Sequence, residues 1–181
     1  MKSTKSQNIL KSSYLKSSRF DTPLGTMLAV ADDNTLLLLD FTDGSNLERS
    51  LKNLCSDNKT DILSEETDLI QQVRSELKLY FEGSLKQFKT PLFFKGTAFQ
   101  QAIWRELIKI PYGQTRSYAE QANLVAKPRA YRAAANANGR NPFSIIVPCH
   151  RVINTGGELG GYGGGIHRKQ FLLEHEKSHV V

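Results

Sequence analysis

The sequence predicts an α+β protein in two parts, a small mixed domain followed by a helical one, and three observations carry that reading. Strand and hairpin signals are concentrated in the first half. The second half holds two capping boxes, Thr97-Ala98-Phe99-Gln100 and Ser117-Tyr118-Ala119-Glu120, each opening a helix. Charge divides along the same line: 12 basic and 13 acidic residues up to Phe94, then 12 basic and 5 acidic from Lys95 onward. The 181 residues suit one large domain or two small ones, and the apolar (39%) and charged (23%) fractions are those of a soluble globular chain. No apolar run approaches membrane-spanning length, and the basic N-terminus lacks the apolar segment of a secretory signal. A soluble protein of the cytoplasm, or of the nucleus in a eukaryotic source, is expected.

In order along the chain, residues 1–18 form a basic, Ser-rich leader and residues 19–92 a first domain. There, Phe20 to Gly25 turns into a strand over Thr26–Ala31, Asp32-Asp33-Asn34 makes a hairpin, and Thr35–Phe41 returns as a second strand. A short helix follows over Leu47–Cys55. A stronger one covers Thr67–Phe81, with Leu69, Ile70, Val73, Leu77, Tyr80 and Phe81 at helical spacing, and Gly83 closes it. No motif in this half carries chemistry. A linker near Lys89-Thr90-Pro91 leads to the second domain, residues 93–181.

Phe99, Ile103, Leu107 and Ile110 mark one face of the helix opened at Thr97, and Pro111-Tyr112-Gly113 ends it. The helix opened at Ser117 runs to about Val125. A turn at Ala126-Lys127-Pro128 joins it to a helix over Arg129–Asn138, which makes a helix-turn-helix. The second helix is small and cationic: Ala130, Ala133, Ala134, Ala135 and Ala137 give it little bulk, and Arg129, Arg132 and Arg140 supply charge. Such a surface suits close approach to a DNA backbone or minor groove. A last helix covers Arg168–Lys177.

Between these elements lies Pro148-Cys149-His150-Arg151-Val152, after the apolar run Ser144–Val147 and before a glycine-rich stretch from Gly156 to Gly165. The run reads as a buried strand giving way to flexible backbone. Thiolate is the nucleophilic form of cysteine, and a neighbouring imidazole or cation promotes it. The other cysteine, Cys55, stands in a polar segment as an ordinary surface thiol. Neither belongs to a Cys-x-x-Cys pair, and no zinc-ligand spacing occurs, so no metal or cofactor is expected.

Five motifs in fixed order give the chain a resemblance to the O6-alkylguanine-DNA alkyltransferases. They are Ile110-Pro111-Tyr112-Gly113, Ser117-Tyr118, Ala137-Asn138-Gly139-Arg140-Asn141-Pro142, Val147-Pro148-Cys149-His150-Arg151-Val152 and Gly161-Tyr162-Gly163-Gly164-Gly165. The resemblance implies a ribonuclease-H-like N-terminal α/β domain and a C-terminal winged helix-turn-helix. It implies a monomer that binds duplex DNA through the minor groove, flips an alkylated guanine into a pocket and takes the alkyl group onto its own cysteine.

Under that resemblance Cys149 is the acceptor, His150 the base acting through a water, and Glu176 the group that orients the imidazole. Asn141 steadies the reactive loop, and Tyr118 donates to the guanine. Arg132 fills the space left by the flipped base. Arg129, Ala130, Ala133, Arg140 and Ser117 meet DNA, and Val152, Tyr162, Gly163 and Gly164 line the pocket. Two departures stand out: Gly163, where many relatives carry serine or alanine, and Ala134-Ala135, where they usually carry Val-Gly.

Three other readings are weaker. A non-catalytic, alkyltransferase-like lesion-binding protein would lack the acceptor cysteine, which is present here. A zinc base deaminase needs Pro-Cys-x-x-Cys and His-x-Glu; His150-Arg151-Val152 follows Cys149 with no second cysteine. A Cys-His hydrolase would not require a basic helix-turn-helix.

Overall fold

Edge strand β3 (Leu36–Phe41) joins the two halves of the molecule. The first half is a four-stranded sheet in the order β3-β2-β1-β4, with β1 over Tyr14–Thr22, β2 over Gly25–Ala31 and β4 over Asp61–Ser64. Strands β1, β2 and β3 run antiparallel, and β4 joins β1 in parallel. The computed structural model describes residues 14–58, 61–125 and 130–180. The expected turn at Ala126–Pro128, Arg129 and the first thirteen leader residues lie outside them.

Alternation in β2 explains how the sheet is covered. Met27, Ala29 and Ala31 belong to one buried cluster with Ile70, Val73, Leu77 and Tyr80 of helix α2 (Asp68–Phe81). Leu28 and Val30 belong to a second with Leu37, Leu38 and Leu54, the last on helix α1 (Leu47–Asn58). Successive strand side chains point to opposite faces, so the sheet carries a helix on each side.

The leader expectation is corrected. Tyr14–Ser18 belongs to β1, paired to both β2 and β4, because ladders on both edges and the buried Leu15 hold it. The hairpin turn is an Asx turn, with Asp32 Oδ1 accepting from the backbone N–H groups of Asn34 and Thr35 at 2.8 and 2.6 Å.

The second half contains α3 (Ala98–Ile108), α4 (Tyr118–Leu124), α5 (Tyr131–Asn138) and α6 (Ile166–Ser178), with a two-stranded parallel sheet of β5 (Arg116–Ser117) and β6 (Val152–Ile153). Both capping boxes form as expected. The helix-turn-helix is locked by polar bonds: Gln121 and Asn138 exchange amide hydrogen bonds at 3.1 and 2.8 Å, and Trp104 Nε1–H donates to the Ala137 carbonyl at 2.8 Å. The alanines of α5 serve two faces. Ala134 and Ala137 are buried against the neighbouring helices, while Arg132 and Ala133 are exposed. The bundle therefore uses the small side chains for close packing on one side and leaves the other exposed.

The open edge of β3 does not face solvent. Leu39 N–H donates to the Pro142 carbonyl, and Ser144 N–H donates to the Leu39 carbonyl, both at 2.8 Å. Leu36 is bonded in the same way to Pro91 and Phe93 in the linker. A sheet edge that would otherwise invite another chain is thus spent on holding the segment that leads to Cys149.

Candidate active site

The apolar run before Cys149 is not a strand, which corrects the reading from its composition. It is a tight buried loop, because Asn141 takes the backbone groups a ladder would pair. Its Nδ2 donates to the carbonyls of Val147 (2.8 Å) and Phe143 (3.2 Å), and its Oδ1 accepts from Phe143 N–H at 3.0 Å. The loop passes Ile145 at φ +72°, a conformation that costs a β-branched residue about 1–3 kcal/mol. Pro148 then leads into a single 3-10 turn, Cys149–Arg151.

Asn141 Nδ2 also reaches the Cys149 sulfur at 3.2 Å. Burial raises the thiol to about 11, against the opposing pull of the Asn141 hydrogen bond and the Lys169 charge. Cys149 is therefore a neutral thiol at rest.

Behind it, His150, Arg151 and Glu176 form a buried cluster. His150 Nε2 lies 2.7 Å from Glu176 Oε1. Arg151 grips the same carboxylate with two bonds, Nε to Oε2 at 2.8 Å and Nη2 to Oε1 at 2.9 Å. Tyr80 O–H and Gly113 N–H complete the set at 2.8 and 3.0 Å. Desolvation would push the Glu176 carboxyl up, but the hydrogen bonds and charges of His150 and Arg151 outweigh it and hold the group far below the carboxylate range. Burial lowers His150, with Glu176 opposing. An ionised Glu176 can only accept, so His150 Nε2 carries the proton and Nδ1 is the basic nitrogen. Nδ1 is buried and has no hydrogen-bond partner among the described residues.

In front of the sulfur is a cavity of about 360 Å³, lined by Cys149, Tyr118, Tyr162, Gly161 and Gly163, by Ala135, Asn136, Asn138 and Gly139 at the C-terminal end of α5, and by Ser45 and Asn46. Arg132 is exposed and lines an adjoining groove with Tyr118, Tyr131 and Gly161. Ala130 is half-buried at the start of α5.

The remaining expected residues are placed differently. Val152 and Gly164 do not line the cavity: Lys169 Nζ occupies the Val152 carbonyl at 2.6 Å, and Gly164 packs beside Tyr162 and Phe41 with its carbonyl bound by Arg168. Ser117 spends its hydroxyl on the cap with Glu120. Arg140 borders a separate groove with Arg49 and Lys95.

Residues from the first half also reach this centre, which corrects the view that it contributes none. Tyr80 reads from the sequence as a core position of α2, and Asn46 belongs to no motif. Lys169, buried on the inner face of α6 and drawn down to about 8 by desolvation, carries no motif signal either. Arg151 is visible in the motif, but only the fold shows it gripping a buried carboxylate. Among the described residues no group of three or more His, Cys, Asp or Glu is arranged to hold a metal ion, and no helix is long and apolar enough to cross a membrane.

The fold and site together define a two-domain protein in which a helix-turn-helix presents a buried cysteine, backed by an imidazole–carboxylate pair, to a surface cavity. Residues 11–94 match the ribonuclease-like domain of 6-O-methylguanine DNA methyltransferase, and residues 98–178 match its DNA-binding domain. A methylated-DNA–protein-cysteine methyltransferase of Methanosarcina barkeri is 38% identical over 160 residues, which is 88% of this chain and 96% of the relative. The namesake from Mycobacterium tuberculosis is 56% identical over 103 residues, 57% of this chain, and that match spans 62% of the relative's length. A crystal structure of Mycobacterium tuberculosis OGT in complex with DNA superposes with a TM-score of 0.79 at 39% identity, covering 91% of this chain and 94% of the other. The chain belongs to the 6-O-methylguanine DNA methyltransferase family.

Proposed function

We propose that this protein repairs DNA by moving an alkyl group from O6 of guanine in a duplex to its own Cys149, irreversibly and once per molecule. The observation that carries this reading is a cavity of about 360 Å³ joining the Cys149 thiol to the helix-turn-helix, with the His150–Glu176 pair behind the thiol. A target base inside a duplex cannot meet a buried sulfur, so it must leave the stack. In this reading Arg132 fills the gap and α5 approaches the minor groove, and the exposed position of Arg132 in the groove beside Tyr118 and Gly161 supports it. The protein acts as a monomer in this reading.

The chemistry follows from the protonation states. The Cys149 proton passes to His150 Nδ1 through one water, and Glu176 stabilises the imidazolium. The thiolate attacks the alkyl carbon, the carbon–O6 bond breaks, and its electron pair stays on the guanine. Burial raises Tyr118, which keeps its phenol protonated as the donor to the departing base. The product is a thioether, which has no acyl centre for water to attack, so Cys149 is consumed. A lesion-binding role without transfer is not favoured, because the acceptor and its base are both in place.

The test is titration of the protein with a duplex holding O6-methylguanine. Restored guanine should plateau at one per protein, and Cys149→Ser should restore none. Continued turnover beyond one equivalent would contradict the proposal.

A further inference from the structure

Part of the cavity wall belongs to the N-terminal domain, through Ser45 and Asn46. Beyond β3 the chain forms a short loop, Asp43 to Asn46, clamped onto the other half. Arg168 lies 4.1 Å from the Phe41 ring centroid and binds Asp43 at 2.9 Å. The backbone N–H and the hydroxyl of Ser45 both donate to the Gly163 carbonyl, at 3.3 and 3.2 Å. The Asn46 amide donates to the carbonyl of Gly139, the residue that ends α5.

Gly163 carries no side chain, and the structure shows what uses the space. A Cβ on Gly163 would stand 2.8 Å from Asn46 Nδ2, closer than unbonded atoms tolerate. The same amide lines the cavity that holds Cys149. Its bond to Gly139 uses one N–H, which leaves a second donor and an acceptor oxygen on the side chain.

We propose that Asn46 is a specificity-determining residue of the base pocket, standing in the volume left by the missing side chain of Gly163, so that the N-terminal domain limits the size of the O6 substituent. The inference rests on the alkyl-transfer reading. The loop is anchored at Asp43, Ser45 and Asn46, so a bulky substituent must displace a bonded amide rather than a free side chain. Selection by size in a pocket is worth about ten-fold or more for a single methylene.

The test compares single-turnover rates on duplexes carrying O6-methylguanine or O6-benzylguanine. Asn46→Ala should raise the benzyl-to-methyl rate ratio by about five-fold or more, and the longer Asn46→Gln should lower it. Gly163→Ala should itself displace the amide, so Asn46→Ala should change the ratio less than two-fold in that background. A purely structural latch would slow both substrates equally. Ratios of Asn46→Ala and Asn46→Gln that both stay within two-fold of the unmodified protein would overturn the inference while leaving alkyl transfer intact. Absence of transfer by the unmodified protein from either duplex would instead contradict the alkyl-transfer reading, and this inference with it.

Discussion

The buried residues of β2 and β3 are almost all hydrocarbon, whereas around Cys149 buried amide, imidazole, guanidinium, ammonium and carboxylate groups stand among the aliphatic residues Ile145, Val147 and Val152. In β3 the run Leu36-Leu37-Leu38-Leu39 is sealed between helices and the loop of the other domain. In the second half His150, Arg151, Lys169 and Glu176 are as deeply buried as those leucines. Hydrophobic burial is non-directional and tolerant, so the first kind of core stabilises without prescribing one geometry. Buried charge is stable only when every partner is in place, so the second kind fixes His150 and Cys149 in one arrangement. The difference teaches a division of labour: the N-terminal sheet lends stability and an edge, and the polar core sets the chemistry.

The largest loss is expected at Glu176. Glu176→Gln leaves Arg151 buried without its counter-charge, an expected loss of about 3–5 kcal/mol in unfolding free energy. It should also slow alkyl transfer about 10²–10⁴-fold through the loss of His150 as a base. Denaturant melts and single-turnover rates measure the two effects. In the apolar core, Leu38→Ala should cost about 2–5 kcal/mol of stability. Its transfer rate, measured where the variant is folded, should be unchanged. A large rate loss there would show that the two cores are not separate in function.

The polar core of the second half was legible only in part. Cys149, His150, Asn141 and Tyr118 stand in motifs, and the two capping boxes marked α3 and α4 because caps are local signals. Strand β1 was hidden: Tyr14–Thr22 buries only Leu15 and Phe20, five residues apart and so out of the two-residue strand period, and its place is set by ladders on both edges, which no local pattern announces. Strand β4 is four residues with a single inward Ile62. Tyr80, Lys169 and Asn46 reach the site from a core helix face, a terminal helix and a loop, so only the assembled fold brings them to Cys149.

The two cysteines sharpen the comparison further. Cys55 is exposed on α1, and Cys149 is buried with its thiol raised to about 11. Without DNA, iodoacetamide at pH 8 should label Cys55 first. A raised acid ionises only as pH climbs toward its shifted value, so Cys149 labelling should rise steeply between pH 8 and 11. Preferential labelling of Cys149 at pH 8 would contradict the neutral resting thiol. The smallest effect is expected at the surface: Arg132→Ala should weaken reaction with duplex substrate about 5–10-fold, around 1 kcal/mol, with little change toward the free base. Equal losses on both would argue against a role in holding the duplex open.

The most direct test is peptide mass spectrometry after mixing the protein with duplex DNA that contains O6-methylguanine. A single methyl group on the peptide bearing Cys149, saturating at one per protein with Cys55 unmodified, is the predicted result. Restored guanine with Cys149 unmodified, or a methyl on any other residue, would contradict the account.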